Sequence, residues 1–149
     1  MFEEELTAFL LGGAPVSEIR GAVLYALATG KQELILLGVI GNVVALIALL
    51  VLWDALKIEL IGRRILGEKL NSRLKEAGEK TQKYGWLGLL FFIAIPFPAT
   101  GVYTGVLIGK ILGYKNRFII LAGLLGIACA GVITFLAATG AISFLNVLV

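Results

Sequence analysis

The segment Leu34–Leu56, LILLGVIGNVVALIALLVLWDAL, decides the fold class because Asp54, near its end, is its only charged residue. A helix of about 20 apolar residues crosses the hydrocarbon core of a bilayer, which is roughly 30 Å thick. Phe118–Ala138 is a second uninterrupted apolar segment of similar length. Trp53 lies where an aromatic side chain would meet the membrane–water interface. The two segments predict an integral membrane protein.

The composition of the chain supports this class and excludes others. Of 149 residues, 59% are hydrophobic and 15% are charged, and a soluble domain of this size could not bury so much apolar surface. The chain has no histidine and one cysteine, Cys129. A Ser-His-Asp triad, a histidine-ligated zinc site and an intrachain disulfide are therefore excluded. We expect no enzyme activity, no metal, no cofactor and no nucleic-acid partner.

Two further apolar blocks, Leu6–Thr29 and Trp86–Leu112, are interrupted by proline. Pro15 breaks the first block, and Pro96 and Pro98 break the second. Proline lacks a backbone N–H and disfavours helix in the residue before it, although it suits the first turn of a new helix. We therefore expect re-entrant helical hairpins, which enter and leave the membrane on one side, with new helices starting near Pro15 and Pro98. Two kinked spanning helices are the alternative.

The two broken blocks match each other 83 positions apart, which pairs Pro15 with Pro98 and Ser17 with Thr100. Each broken block precedes an unbroken one, and duplication of broken helices is typical of transporters. The sequence thus predicts an all-α protein of two inverted repeats, each a re-entrant hairpin plus a transmembrane helix. We expect one membrane domain, residues 1–149. Within it, repeat 1 spans residues 6–56, an amphipathic linker helix spans 57–84, and repeat 2 spans 86–148.

The charges predict the orientation. The linker 57–84 carries eight basic and four acidic residues, and Lys115 and Arg117 follow the third block. With re-entrant hairpins all of these lie on one side, which the positive-inside rule assigns to the cytoplasm. Both termini are then outside a multi-pass protein of the cell membrane. The linker helix is expected on the membrane surface, or alternatively as a solvated connector.

Glu18 and Arg20 are the main candidates for function, because ionisable residues deep in an apolar block cost several kcal/mol unless they are paired or hydrated. Two residues apart on a helix, they should point in different directions. Glu18 is expected as a titratable relay and Arg20 as an anion contact on a transport pathway. A structural ion pair between the halves is the alternative. The candidate pathway residues are Glu18, Arg20, Ser17, Thr100, Tyr103 and Thr104.

Opposed helix starts near Pro15 and Pro98 would present unpaired N–H groups to a shared centre, which favours an anionic group. After the second break, small residues recur at every fourth position and should allow close helix packing, alongside a possible pathway. These packing residues are Gly101, Gly105, Gly109 and Gly113.

Three short motifs resemble a known family: SEIRGA at 17–22, PFPATG at 96–101 and YTG at 103–105. Together they resemble the putative small multidrug export proteins over nearly the whole chain. That family looks like a compact relative of the DedA/VTT (SNARE-associated) membrane proteins, which include lipid scramblases and polyprenyl-phosphate transporters. The resemblance implies transport. DedA proteins carry further arginines near the second break, and none is present between Ala99 and Lys110.

We therefore expect a DedA-like transporter or lipid scramblase that moves an amphipathic, anionic or lipid-like substrate through a midplane site between the hairpins. A proton-coupled small multidrug exporter is one alternative, and a structural or interaction protein without transport is another. Membrane lipids, the substrate and protons are the expected partners. A homo-oligomer is expected as well, since two full spans give little protein to shield two hairpins from lipid.

Overall fold

The structure is a computed structural model that describes residues 2–56, 72, 85–95 and 100–148. The predicted linker helix at 57–84 lies outside the described residues apart from Ser72. Pro96 and Pro98 of the second predicted break also lie outside them. The described part of the chain contains helices and no strand, as expected for an all-α protein.

Six helices are described: α1 (Phe2–Gly13), α2 (Glu18–Thr29), α3 (Leu34–Ala55), α4 (Gly85–Ala94), α5 (Val102–Ile111) and α6 (Asn116–Leu148). In the described ranges, α3 and α6 are the two helices long and apolar enough to cross a membrane, with mean hydropathies of 2.9 and 2.6. The prediction of two unbroken apolar spans is thereby confirmed.

The first apolar block is divided into two helices at the predicted place. Helix α1 ends at Gly13, residues 14–17 form a turn, and α2 begins at Glu18, three residues after Pro15. The Glu18 N–H donates to the Ala14 carbonyl at 3.0 Å. Ser17 lies at the N-cap position, but its Oγ donates backwards to the Leu11 carbonyl at 2.6 Å. The serine therefore closes the end of α1 instead of capping α2.

The helices recur in order along the two halves. The starts of α4, α5 and α6 follow those of α1, α2 and α3 by 83, 84 and 82 positions. Positive φ angles recur as well: Glu18 (50°) corresponds to Gly101 (135°), and Gly30 (69°) to Gly113 (75°). Helix starts and unusual backbone conformations thus repeat at the predicted spacing. The inverted relation of the halves stays a prediction.

Helices α1 and α3 pack backbone to backbone through glycine. A Cβ atom at Gly12 would lie 2.6 Å from the Gly38 carbonyl carbon, and one at Gly41 would lie 3.0 Å from the Phe9 carbonyl carbon. Lipid tails are as apolar as side chains, so helices in a membrane associate through such close van der Waals packing and not through release from water. The sequence analysis did not single out this glycine interface.

Two of the glycines predicted to allow packing of α5 lie against isoleucines. A Cβ at Gly105 would lie 2.6 Å from Ile93 of α4, and one at Gly109 would lie 2.9 Å from Ile119 of α6. Gly113 follows α5 in a left-handed conformation. The buried core around this contact draws on α2 to α6, and its members include Val23, Leu46, Ile93, Val102 and Ile127.

Ion pairs fasten the two ends of α3. At its amino-terminal end, Lys31 binds Glu4 of α1 at 2.5 Å, and this hydrogen bond lowers the pKa of the Glu4 carboxyl. At its carboxyl-terminal end, Asp54 binds Lys110 of α5 at 2.5 Å and accepts from Asn116 of α6 at 3.0 Å. The outer ends of α1 and α2 therefore lie at one end of α3, and the outer end of α5 lies at the other.

Candidate functional site

The candidate site lies where the breaks of the two halves meet. A Cβ atom at Gly101, which precedes α5, would overlap the carboxylate of Glu18, which begins α2. The two residues occupy corresponding positions in the halves, and both have positive φ. Glycine adopts such angles freely, whereas they strain a glutamate. Residues from both halves thus come into direct contact at the beginning of a helix.

Glu18 places its carboxylate at the amino-terminal end of α5. Its side chain is buried, with 4% of the residue exposed, and its Oε1 accepts from the Tyr103 backbone N–H at 3.5 Å. The partial positive charge of a helix N-terminus stabilises a carboxylate there. The Val102 backbone N–H is a second donor to this carboxylate. Because a carboxylate can accept about four hydrogen bonds, part of the acceptor capacity of Glu18 is unused by the described residues.

Arg20 binds backbone carbonyls at the end of α4, on the other side of the second break from the start of α5. Its guanidinium donates to the carbonyls of Ile93 at 3.0 Å, Ile95 at 2.8 Å and Thr100 at 3.1 Å. The last carbonyls of a helix have no partner within the helix, and a cation there also meets the negative end of the helix dipole. The terminal nitrogens of Arg20 are therefore engaged by α4 and its following residues.

The two charges lie closer together than the sequence predicted. Arg20 Nη1 and Glu18 Oε2 are 3.9 Å apart, although residues two apart on a regular helix point in different directions. The two charges are within ion-pair distance but beyond hydrogen-bond distance, and the hydrogen-bond partners of both lie in the other half of the chain. The positive φ of Glu18 takes this residue out of regular helix geometry and changes the direction of its side chain.

The hydroxyl candidates are bound to backbone at the breaks. The Tyr103 hydroxyl donates to the Gly13 carbonyl at the end of α1, and the Thr100 hydroxyl donates to the Ile95 carbonyl at 2.7 Å. Ser17 closes the end of α1, as described above. Thr104 is half-buried in α5 and makes none of the contacts described for this site. Each half thus supplies a side chain that binds the end of a helix in the other half: Tyr103 binds the end of α1, and Arg20 binds the end of α4.

Sequence reasoning missed the atoms that receive these hydrogen bonds. The carbonyls of Gly13, Ile93 and Ile95 carry no side-chain signal, so no motif could identify them. The ion pair between Lys110 and Asp54 was not predicted from the sequence either. Within the described ranges no group of three or more potential metal ligands is present.

A comparison with protein families identifies the chain. Residues 18–133 match the model of the family described as "Putative small multi-drug export protein", which is more than half of the sequence. The chain belongs to this family. The match begins at Glu18 and contains Arg20, Gly101 and Tyr103, the residues that meet at the breaks. Membership of the small multi-drug export family agrees with the apolar helices and marks the chain as a membrane protein.

No curated protein and no solved structure matches the chain. Its relation to the DedA/VTT proteins therefore stays a prediction from the sequence motifs. The family is one of export proteins and not of enzymes, which agrees with the expectation from composition.

Proposed function

We propose that the protein is a proton-coupled exporter of hydrophobic cations and that Glu18 is the group that binds cation and proton in turn. The observation that carries this proposal is the unused acceptor capacity of a buried carboxylate at the meeting point of two helix breaks. A lipophilic cation could bind there against Glu18, and protonation of Glu18 would release it. The family description, small multi-drug export, supports an export function.

The hydrogen bonds of Arg20 favour a cation over the anionic or lipid-like substrate expected from the sequence, because its terminal nitrogens already bind backbone carbonyls. An anion at the two terminal nitrogens of Arg20 would displace the carbonyls of Ile93, Ile95 and Thr100, and the Arg20 donor that lacks a partner among the described residues is the buried Nε. An anion at the start of α5 would displace Glu18. A cation approaching Glu18 requires neither exchange and shares the carboxylate with Arg20, whose Nη1 lies 3.9 Å from Oε2. The DedA-like scramblase is kept as the competing outcome of the experiment below.

In this proposal the α1–α2 and α4–α5 pairs are re-entrant hairpins of two inverted repeats, and each half crosses the membrane once, through α3 or α6. The ion pairs at opposite ends of α3 support this arrangement, because the hairpins then enter from opposite sides and meet at their tips. The basic linker lies in the cytoplasm and the termini lie outside, at the plasma membrane. Val16, 98% exposed in the first tip, suits shielding by a second copy in a homo-oligomer.

The orientation is tested by cysteine labelling in a Cys129→Ala background. Gln32→Cys and Lys115→Cys place thiols at exposed positions, and Gln32 is chosen because it leaves the Lys31–Glu4 ion pair intact. A membrane-impermeant maleimide added to intact cells should label position 32 and not position 115. Permeabilised cells, in which both should react, are the control. Labelling of both positions from outside would contradict the re-entrant arrangement.

The function is tested with Glu18→Gln. The amide keeps the shape of the side chain and can still accept from the Tyr103 N–H, but it cannot ionise. Among the described residues, the charged or titratable side chains facing Glu18 are Arg20 and Tyr103. In proteoliposomes with an imposed pH gradient, uptake of tetraphenylphosphonium should fall about tenfold or more, because the variant no longer distinguishes cation-bound from proton-bound states.

Glu3→Gln is the matched control, since it removes an exposed carboxylate near the start of α1 and should transport as the wild type does. An unchanged melting temperature shows that Glu18→Gln is folded, and Glu18→Asp provides a second variant that keeps the charge. Full transport by folded Glu18→Gln would overturn the proposal. Gradient-independent lipid scrambling by the wild type, without cation uptake, would establish the lipid substrate in its place.

A further inference from the structure

Asn42 is a buried polar residue that the proposed mechanism has not yet used. It lies in the middle part of α3 with 0% of its surface exposed. Neither its Nδ2 nor its Oδ1 has a hydrogen-bond partner among the described residues. An unpaired buried polar group costs about 1–3 kcal/mol in proteins, and a membrane interior offers it no alternative solvent. Some hydrogen-bonding guest is therefore needed at this position.

The contacts of α3 place Asn42 close to Glu18. Gly38, one helical turn before Asn42, packs against Ala22 of α2, and a Cβ at Gly38 would lie 3.6 Å from Ile19 Cδ1. Ile19 directly follows Glu18 in the chain. Because α2 runs back along α3, the next turn of α3 lies alongside the beginning of α2.

A second set of contacts also places Asn42 at the level of Glu18 along the helices. Gly41, the neighbour of Asn42, packs against Gly13, with 3.2 Å between a Cβ at Gly13 and the Gly41 oxygen. The Gly13 carbonyl accepts from the Tyr103 hydroxyl. Asn42 therefore lies beside the first helix break, at the end of α1 that Tyr103 of the other half contacts. A further unpaired donor, Nε of Arg20, is buried in the same region.

We propose that Asn42 binds water within the membrane and that this water is part of the route by which protons reach Glu18. This inference rests on the proposed exporter function. The amide suits the guest, because Oδ1 accepts from a water O–H while Nδ2 donates to a water oxygen. A proton arriving on one side of the water is matched by another leaving it towards the Glu18 carboxylate, and the amide itself is unchanged.

Asn42→Leu separates this role from a purely structural one. No described protein group is hydrogen-bonded to this amide, so replacing it by an apolar side chain of similar size leaves no protein partner unsatisfied and is neutral or stabilising for the fold. We therefore expect an unchanged or higher melting temperature together with about a tenfold loss of gradient-driven tetraphenylphosphonium uptake. Leu46→Met, a buried apolar exchange one turn further along α3, is the control and should keep both properties. Wild-type transport by a folded Asn42→Leu protein would overturn the inference.

Water at this position can also be measured without transport. In the Cys129→Ala background, Asn42→Cys should react with a small water-soluble methanethiosulfonate reagent, whereas Leu46→Cys, which is equally buried, should not. Failure of both thiols to react would remove the water site and leave the exporter proposal standing. Reaction at position 42 in a protein that transports no cation would support the water site and overturn the proposed function instead.

Discussion

Gly101→Ala should destabilise the protein by about 3 kcal/mol or more, because two separate effects act at this position. Gly101 has φ 135° and ψ −166°, a region of conformational space open essentially to glycine alone, where another residue costs of order 1–3 kcal/mol. In addition, its new Cβ would lie within 2.5 Å of Glu18 Cδ. The Glu18 carboxylate would have to move away from the start of α5. It would then be buried without the Tyr103 N–H that it now accepts from.

Two other glycines separate these effects. Gly30 also has a positive φ, 69°, but a Cβ there would meet nothing within 4 Å, so Gly30→Ala should cost only about 1–2 kcal/mol. Gly88 in α4 has the same open space, and Gly88→Ala should be neutral or stabilising by up to about 1 kcal/mol.

Thermal unfolding in detergent should thus rank the variants in the order Gly88→Ala, Gly30→Ala and Gly101→Ala, from highest to lowest melting temperature. Equal melting temperatures for Gly30→Ala and Gly101→Ala would show that Glu18 and Gly101 do not touch. The close approach of the two halves at the breaks would then be wrong.

Features that arise from local properties of the chain could be predicted from the sequence. Hydropathy along the chain identified α3 and α6 because crossing a bilayer requires a long apolar segment. Pro15 located the first break because proline removes a backbone donor. Both features are local properties of the chain. The starts of α2, α3 and α6 agree with the predictions to within three residues, and α6 continues ten residues beyond Ala138.

The geometry of the site could not be predicted in the same way. Glu18 and Arg20 were identified as exceptional because charges in apolar blocks are unfavourable, which is again a local argument. Their partners are backbone carbonyls and N–H groups more than 70 positions away, and every residue carries such groups. The positive φ of Glu18 has no counterpart in a side-chain pattern.

The glycine contacts show the same distinction. The spacing of Gly101, Gly105 and Gly109 was visible because steps of four are helical, whereas the contact between Gly12 and Gly38 joins residues of different helices. A helix partner cannot be inferred from one glycine alone. Spacing within a helix is therefore readable from sequence, and the choice of partner is set by the complete fold.

Arg20→Met should produce the other large loss of stability, about 3 kcal/mol, since it leaves the carbonyls of Ile93, Ile95 and Thr100 without this donor in a poorly hydrated place. Arg20→Lys should be intermediate. Lysine keeps the charge, but its ammonium is a compact group with three donors and lacks the planar fork that reaches several acceptors at once. Melting temperatures of purified wild type, Arg20→Lys and Arg20→Met should decrease in that order.

Arg117→Lys is the matched control, because Arg117 is exposed and stacks over the Phe118 ring at 4.9 Å. The same chemical change there should alter stability by no more than about 0.5 kcal/mol. If Arg20→Met has the same melting temperature as the wild type, Arg20 does not stabilise the end of α4. If Arg20→Lys keeps full stability and loses transport, the guanidinium binds substrate instead, and the anionic pathway is the better account. A graded loss of stability, with transport falling only as the protein unfolds, assigns Arg20 to joining the halves and leaves Glu18 as the group that binds the cation.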